Sequence, residues 1–261
     1  MSTLFSRALF KYLRLVRRPF PAAVRRQVRL VFFRWLDLTW ELSGGLRARL
    51  TSYTDWVVYN EIFVHGEYDK ALSFAFDAAA RHTAPIHIVD VGANVGFFTL
   101  RAVQQLAARG FTDRGYGVTA VEGDGECARE FAARVFEENR LSSTVTLTHG
   151  LVGRRDGAAK LHGDSLFRRD TRGVEVPFVD LDLLLSAVPR IDLLKCDIEG
   201  AELLFIENYP DLLRKVNVAV FELHSNLCDI DRCRKLLTEY GFTHGQTHRA
   251  GDPYSLYCVW R

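Results

Sequence analysis

The sequence predicts a doubly wound α/β domain of Rossmann type. It should hold a mostly parallel seven-stranded sheet with helices on both faces, an antiparallel terminal hairpin and an N-terminal helical extension. Three features predict it. From residue 86 onward, β-rich apolar runs alternate with helix-like segments, the order that builds a parallel sheet through helical crossovers. The runs are apolar throughout rather than at every second position, as strands covered on both faces are. The first run, "IVDVGANVGFFTL" at 88–100, passes through two glycines straight into the next apolar segment, which marks a tight strand-to-helix turn.

Size and composition fit one such domain. The chain has 261 residues, 48% of them hydrophobic and 25% charged, an ordinary globular balance and enough for one α/β core plus an extension. Cys127, Cys196, Cys228, Cys233 and Cys258 make an odd set without a CxxC pair, and are read as reduced, packed thiols of a cytoplasmic protein.

The net charge of +2 conceals an asymmetry. Residues 1–50 carry eleven Lys/Arg against Asp37 and Glu41, an excess of nine positive charges, so the rest of the chain is net negative by seven. The arm is apolar as well as basic, with Leu9, Tyr12, Leu13 and Val16 at helical spacing and Pro19 and Pro21 separating two expected helices. Its longest apolar run, 30–33, ends at Arg34, far too short for a membrane span or a signal-peptide core. Two readings follow. The arm packs Phe5, Phe10, Phe32, Trp35 and Trp40 on the core, or it rests peripherally on the anionic inner membrane face; packing is the favoured one. Residues 1–53 are accordingly assigned to a basic helical extension and 54–261 to the main domain.

The elements of that domain follow in order. "IHIVDV" (86–91) is the first strand, with a helix over 94–108. "YGVTAVE" (116–122) is the second, with a helix over 126–139, and "TVTLTHGLV" (144–152) is the third. Residues 153–177, rich in Gly, Arg and Asp, form a loop or hairpin insertion. "IDLLKCD" (191–197) is the fourth strand, followed by a short helix over 201–208 ended by Pro210. "VNVAVFEL" (216–223) is the fifth, with a helix over 230–240 closed by Gly241. "GFTHGQTH" (241–248) and "YSLYCVW" (254–260) make the terminal hairpin. No internal repeat or low-complexity linker interrupts this order.

The glycine turn, Gly92-Ala93-Asn94-Val95-Gly96, stands where such sheets bind ligands, beyond the carboxyl end of the first strand. Gly92 permits close backbone approach and Gly96 close helix packing. A dinucleotide fingerprint would put a glycine at Asn94, and a P-loop would supply a lysine, so neither NAD nor ATP fits. Asp90 at the strand end would repel a pyrophosphate yet suit a ligand with positive charge, as S-adenosylmethionine carries on its sulfonium and ammonium. Glu122, ending the second strand, is placed to accept both ribose hydroxyls. The plainer alternative is that Asp90 and Asn94 only cap the following helix. The three features in one register favour the S-adenosylmethionine site.

These residues also carry a resemblance. "VDVGANVGFFTL", "VEGDGECAREF", "FVDLDLLL", "IDLLKCDIEGAELLFIEN" and "VAVFELH" resemble, in order, the blocks of the FkbM family of S-adenosylmethionine-dependent methyltransferases, and "TDWVVYNEIFVHGEYDKAL" resembles the segment before its core. The likeness spans roughly 54–245 and leaves residues 1–50 outside. It implies a class I methyltransferase fold, S-adenosylmethionine as donor and O-methyl transfer. One departure stands out: where the family usually has proline after the strand-two acid, this chain has Gly123, which loosens that turn.

Beside the donor strand, "KCDIEGAE" brings Lys195, Asp197, Glu199 and Glu202 to the end of strand four. A hydroxyl acceptor must be aligned with the methyl group and lose its proton near transfer. Asp197 could act as base, as hydrogen-bond acceptor for the hydroxyl, or as metal ligand. Glu222 and His224, from "FELH", are the further candidates, with His224 the natural proton acceptor near neutral pH. Asp197 with Glu222 or His224 would suit Mg²⁺ or Mn²⁺, though no spacing demands a metal. The plainer roles are helix-end electrostatics for Glu199, an ion pair for Lys195, and solvent exposure for Glu202. The expected reaction is O-methylation of a sugar, glycan or glycosylated metabolite. Polyketide-type small molecules and RNA are alternative acceptors, and a non-catalytic membrane-associated scaffold is the remaining class. The acidic main domain argues against nucleic acid.

Overall fold

A computed structural model describes residues 38–160, 174–249 and 254–261. The strands are β1 (Leu38–Glu41), β2 (Arg47–Leu50), β3 (Ile86–Val91), β4 (Tyr116–Glu122), β5 (Val145–His149), β6 (Ala158–Lys160), β7 (Glu175–Pro177), β8 (Ile191–Cys196), β9 (Val216–His224), β10 (His244–Arg249) and β11 (Tyr254–Trp260). The helices are α1 (Tyr53–Tyr59), α2 (Asp69–Ala79), α3 (Phe97–Ala108), α4 (Gly125–Phe131), α5 (Leu181–Leu184), α6 (Glu202–Asn208), α7 (Pro210–Arg214) and α8 (Ile230–Glu239). Wider π-helical turns prolong α1 over Asn60–His65 and α4 over Ala132–Glu138.

The seven-stranded sheet runs β10-β11-β9-β8-β3-β4-β5. β5, β4, β3, β8 and β9 are parallel, and β11 and β10 are added antiparallel. The order therefore reverses between β3 and β8, which opens a crevice at their carboxyl ends. Continuous apolar strands give two cores, one per face: Ile88 and Leu193 enter one, Val89 and Leu194 the other. The first packs under α2 and α3, the second under α6, α7 and α8. The insertion after β5 contributes the antiparallel pair β6–β7.

The extension departs from expectation where it is described. Residues 38–50, assigned to the helical arm, form the hairpin β1–β2. Gly44 and Gly45, both at positive φ (83° and 78°), make the turn that a helix cannot contain. Alternate residues point inward: Trp40, Ala48 and Leu50 are buried, and Trp40 lies 5.9 Å from Trp56 and 5.4 Å from Tyr59 between ring centroids. Trp40 thus packs on the core, whereas Phe5, Phe10, Phe32 and Trp35 lie outside the described residues, as do both expected arm helices. Among the described residues, no helix is long and apolar enough to cross a membrane.

α1 was not anticipated from the sequence as an element. Ser52 caps it in a reciprocal box with Asp55. The fully buried Arg134 holds Asp55 at 2.9 Å and Glu130 at 2.8 Å. That buried pair anchors α1, with its π-helical continuation, over the crevice.

Candidate active site

The turn after β3 is built from three residues in the left-handed region: Gly92 (φ 75°), Asn94 (φ 50°) and Gly96 (φ 91°). A Cβ at Gly92 would lie 1.7 Å from the Asp197 carbonyl oxygen, so only glycine lets the ends of β3 and β8 meet. A Cβ at Gly96 would lie 2.6 Å from Val135 Cγ2, so glycine there seats α3 against the continuation of α4. Asparagine is among the few side chains that tolerate the left-handed conformation at position 94. Asn94 does not cap α3, whose N-cap is Gly96 without a side-chain bond.

Asp90 is fully buried beneath this turn. Its Oδ2 accepts from Thr99 Oγ1 at 2.7 Å, and Lys195 Nζ lies 3.5 Å from its Oδ1. The same ammonium donates to the Gly92 carbonyl at 2.5 Å and lies 3.6 Å from Asp197 Oδ2. Burial works against the charge on Lys195, but Asp197, Asp90 and Glu222 outweigh it and raise its pKa. The positive charge that Asp90 meets is therefore Lys195, and the pair braces the turn from below.

Glu122 ends β4 with both oxygens engaged. Oε2 accepts from the Asn94 amide at 2.6 Å and Oε1 from the Asp124 amide at 2.7 Å. Burial pushes its pKa up to about 7, against those two bonds and Lys195. A carboxylate oxygen has a second lone pair, so each can still accept a ligand hydroxyl.

Two cavities open onto the crevice. The first, about 420 Å³, is lined by Gly92, Glu122, Gly123, Asp124, Leu151 and Phe178, among others. The second, about 350 Å³, lies under α1 and its continuation and includes Glu61, Tyr68, Lys195, Glu222, His224 and Tyr254. Asn94, Asp197 and Glu199 line both. Asp90 and Gly96 line neither. The sequence candidates thus divide: Gly92 and Glu122 on one side, Glu222 and His224 on the other, Asp197 and Asn94 between.

The second cavity is strongly acidic. Tyr68 donates to Glu222 Oε2 at 3.2 Å. Burial pushes Glu222 up to about 9, helped by Asp197 and opposed by Lys195. Burial pushes Glu61 up to about 7, with Glu67 adding to the rise and Arg249 opposing it. Glu67 and Tyr254 both bond Arg249. None of Glu61, Glu67, Tyr68 or Tyr254 was singled out from the sequence, because α1, α2 and β11 reach the cavity only through tertiary packing. Their one signal is that three of them fall within the block 54–72.

Two expectations at the fourth strand change. Glu202 is not solvated: it is fully buried at the start of α6. Its Oε1 accepts from the amides of Ile198 (3.2 Å) and Gly200 (3.1 Å) and lies 3.1 Å from His224 Nδ1. Glu199 precedes α6 at φ 56° and faces both cavities. His224 Nε2 lies 3.8 Å from Glu199 Oε2 and 3.9 Å from Glu222 Oε1. Among the described residues, Asp197, Glu202 and His224 form a grouping whose ligand atoms lie within 4.8 Å of one another. A cation there would draw on Glu202 rather than on the expected Glu222, and would compete with the Glu202–His224 bond.

The family model described as the methyltransferase FkbM domain matches residues 90–243. No curated protein matches the chain. Among solved structures, the methyltransferase FkbM from Methylobacillus flagellatus KT superposes with a TM-score of 0.51 at 13% identity, over 92% of this chain and 60% of that one. The chain thus spans less than two thirds of the length of that relative, and the likeness concerns the fold. The magnesium protoporphyrin IX methyltransferase of Synechocystis PCC 6803 with bound SAH gives a TM-score of 0.47 at 12% identity, over 95% and 99% of the two chains.

Proposed function

The chain belongs to the FkbM methyltransferase family, and from that premise we propose that it transfers a methyl group from S-adenosylmethionine to a hydroxyl of a sugar, glycan or glycosylated metabolite. The observation that carries the proposal is the pair of cavities meeting at Asn94, Asp197 and Glu199. One has the glycine turn and Glu122, suited to an adenosyl donor; the other has His224 and Glu222, suited to an acceptor.

In this reading Glu122 accepts the ribose hydroxyls, and the donor sulfonium lies toward the shared wall. The acceptor hydroxyl enters from the second cavity in line with the methyl–sulfur bond, and such alignment supplies much of the rate. Asp197 accepts a hydrogen bond from the hydroxyl and orients it. As the new carbon–oxygen bond forms, the carbon–sulfur bond breaks, its electron pair stays on sulfur to give S-adenosylhomocysteine, and the hydroxyl proton passes to His224 Nε2. No step is routed through a metal.

Charge selects the acceptor class. Glu61, Glu67, Asp197, Glu199 and Glu222 line the second cavity; burial favours the protonated form of Glu222 and Glu61, Arg249 pairs with Glu67, and Lys195 is shared between Asp90 and Asp197. A phosphate or carboxylate would face a wall of acidic groups there, whereas a neutral hydroxyl can donate to an ionised carboxyl and accept from a protonated one. This favours a neutral, hydroxyl-rich acceptor over RNA. The test is S-adenosylhomocysteine release across neutral glycosides, uronic acids and RNA, with mass spectrometry of each acceptor. Gain of one methyl on neutral glycosides, insensitive to nuclease, supports the proposal. Methylation confined to RNA would overturn it.

A further inference from the structure

We infer that Glu202 is a positioning residue, holding His224 so that Nε2 faces the acceptor cavity and tying that ring to the turn that separates the two cavities. The inference rests on the reading of His224 as proton acceptor. Three nitrogens converge on one buried oxygen: the amides of Ile198 and Gly200 and the ring Nδ1 of His224, at 3.2, 3.1 and 3.1 Å. The two amides belong to the turn that carries Glu199, whose backbone stands in the left-handed region at φ 56°. Such strain persists only where the surroundings enforce it, and Glu202 is the side chain that satisfies the turn. One carboxylate thus fixes both the wall shared with the donor cavity and the imidazole behind the acceptor.

The bond also selects the tautomer. A carboxylate only accepts, so the neutral ring keeps its proton on Nδ1 and leaves Nε2 bare. Facing the ring are Glu202 from α6, Asp197 and Glu199 from the turn after β8, Glu222 from its own strand and Tyr254 from β11. Burial pulls the His224 pKa down, but the Glu202 bond and charge, with Asp197 and Glu199, overcome it and leave it raised. Glu202 therefore makes His224 a stronger base as well as an aimed one.

Two measurements test this. In wild-type protein, ¹⁵N spectra of the imidazoles, with His224 assigned by its loss in His224→Asn, should show the neutral ring protonated on Nδ1. A ring protonated on Nε2 overturns the inference, and this measurement does not depend on any variant's activity. Second, Glu202→Gln keeps shape but removes charge. Its kcat/KM should fall roughly ten- to a hundredfold, and the acid limb of its pH profile should move to lower pH. A folded Glu202→Gln with the wild-type profile overturns the positioning role. Where that variant fails to fold, the wild-type spectrum decides. Full turnover in His224→Asn overturns the reading beneath it, and with it the role of Glu202.

Discussion

The carbonyl oxygen of Asp197 occupies the place a Cβ on Gly92 would need, 1.7 Å from it. The ends of β3 and β8 touch there, which is why the glycine turn and the candidate catalytic strand share one wall. Gly92→Ala must displace Asp197 and also hold alanine near φ 75°, a strain of roughly 1–3 kcal/mol. We expect a lower Tm together with weaker S-adenosylmethionine binding by calorimetry. Wild-type values for both would show that the contact is not required.

Glu122 lines the first cavity while accepting from the amides of Asn94 and Asp124. Glu122→Ala removes the proposed acceptor of the ribose hydroxyls and strips those two amides of their partner. Donor affinity should weaken by roughly 1–3 kcal/mol. Unchanged affinity in calorimetry would remove Glu122 from the donor site.

How far the sequence discloses this arrangement depends on how local each signal is. The strands Ile86–Val91, Tyr116–Glu122, Ile191–Cys196 and Val216–His224 are readable because residues buried on both faces leave unbroken apolar runs. The glycine turn is readable because φ above zero restricts residue choice. The hairpin β1–β2 reads in the sequence as part of a helical arm, since its Leu and Arg serve either structure and only Gly44-Gly45 marks the turn. Glu202 reads in the sequence as solvated because nothing near it shows its partner; His224 stands 22 residues away. Asp90 shows in the sequence only as a strand-end acid, because the lysine that meets it comes from another strand, across the β3–β8 pairing. The acidic second cavity is the least local feature, assembled by α1 and β11 from distant parts of the chain.

Asp197 is common to both cavities and lies 3.6 Å from Lys195 Nζ. Asp197→Asn keeps size and a hydrogen-bonding oxygen but loses the charge proposed to orient the hydroxyl. Donor binding should stay within about twofold, while kcat falls roughly a hundredfold. Equal kcat for variant and wild type at saturating donor and acceptor would deny Asp197 any part in turnover.

Glu222 supplies a prediction on stability that is independent of activity. Burial first, then Asp197, hold its folded pKa at about 9, against an ordinary value of 4.5. Below 4.5 both folded and unfolded states carry the proton, so the residue then takes nothing from stability. Above it the unfolded chain loses the proton while the folded protein keeps it, and each further pH unit favours unfolding until about 9. Glu222→Gln mimics the protonated form, retains an acceptor for the Tyr68 hydroxyl and does not titrate. The variant should therefore match wild type near pH 4.5 and become progressively more stable than it toward pH 9. Thermal unfolding of both proteins across that range checks the sign. A Tm difference that is flat with pH would mean that Glu222 is ionised in the folded protein and that the second cavity does not press its carboxyl into the protonated form.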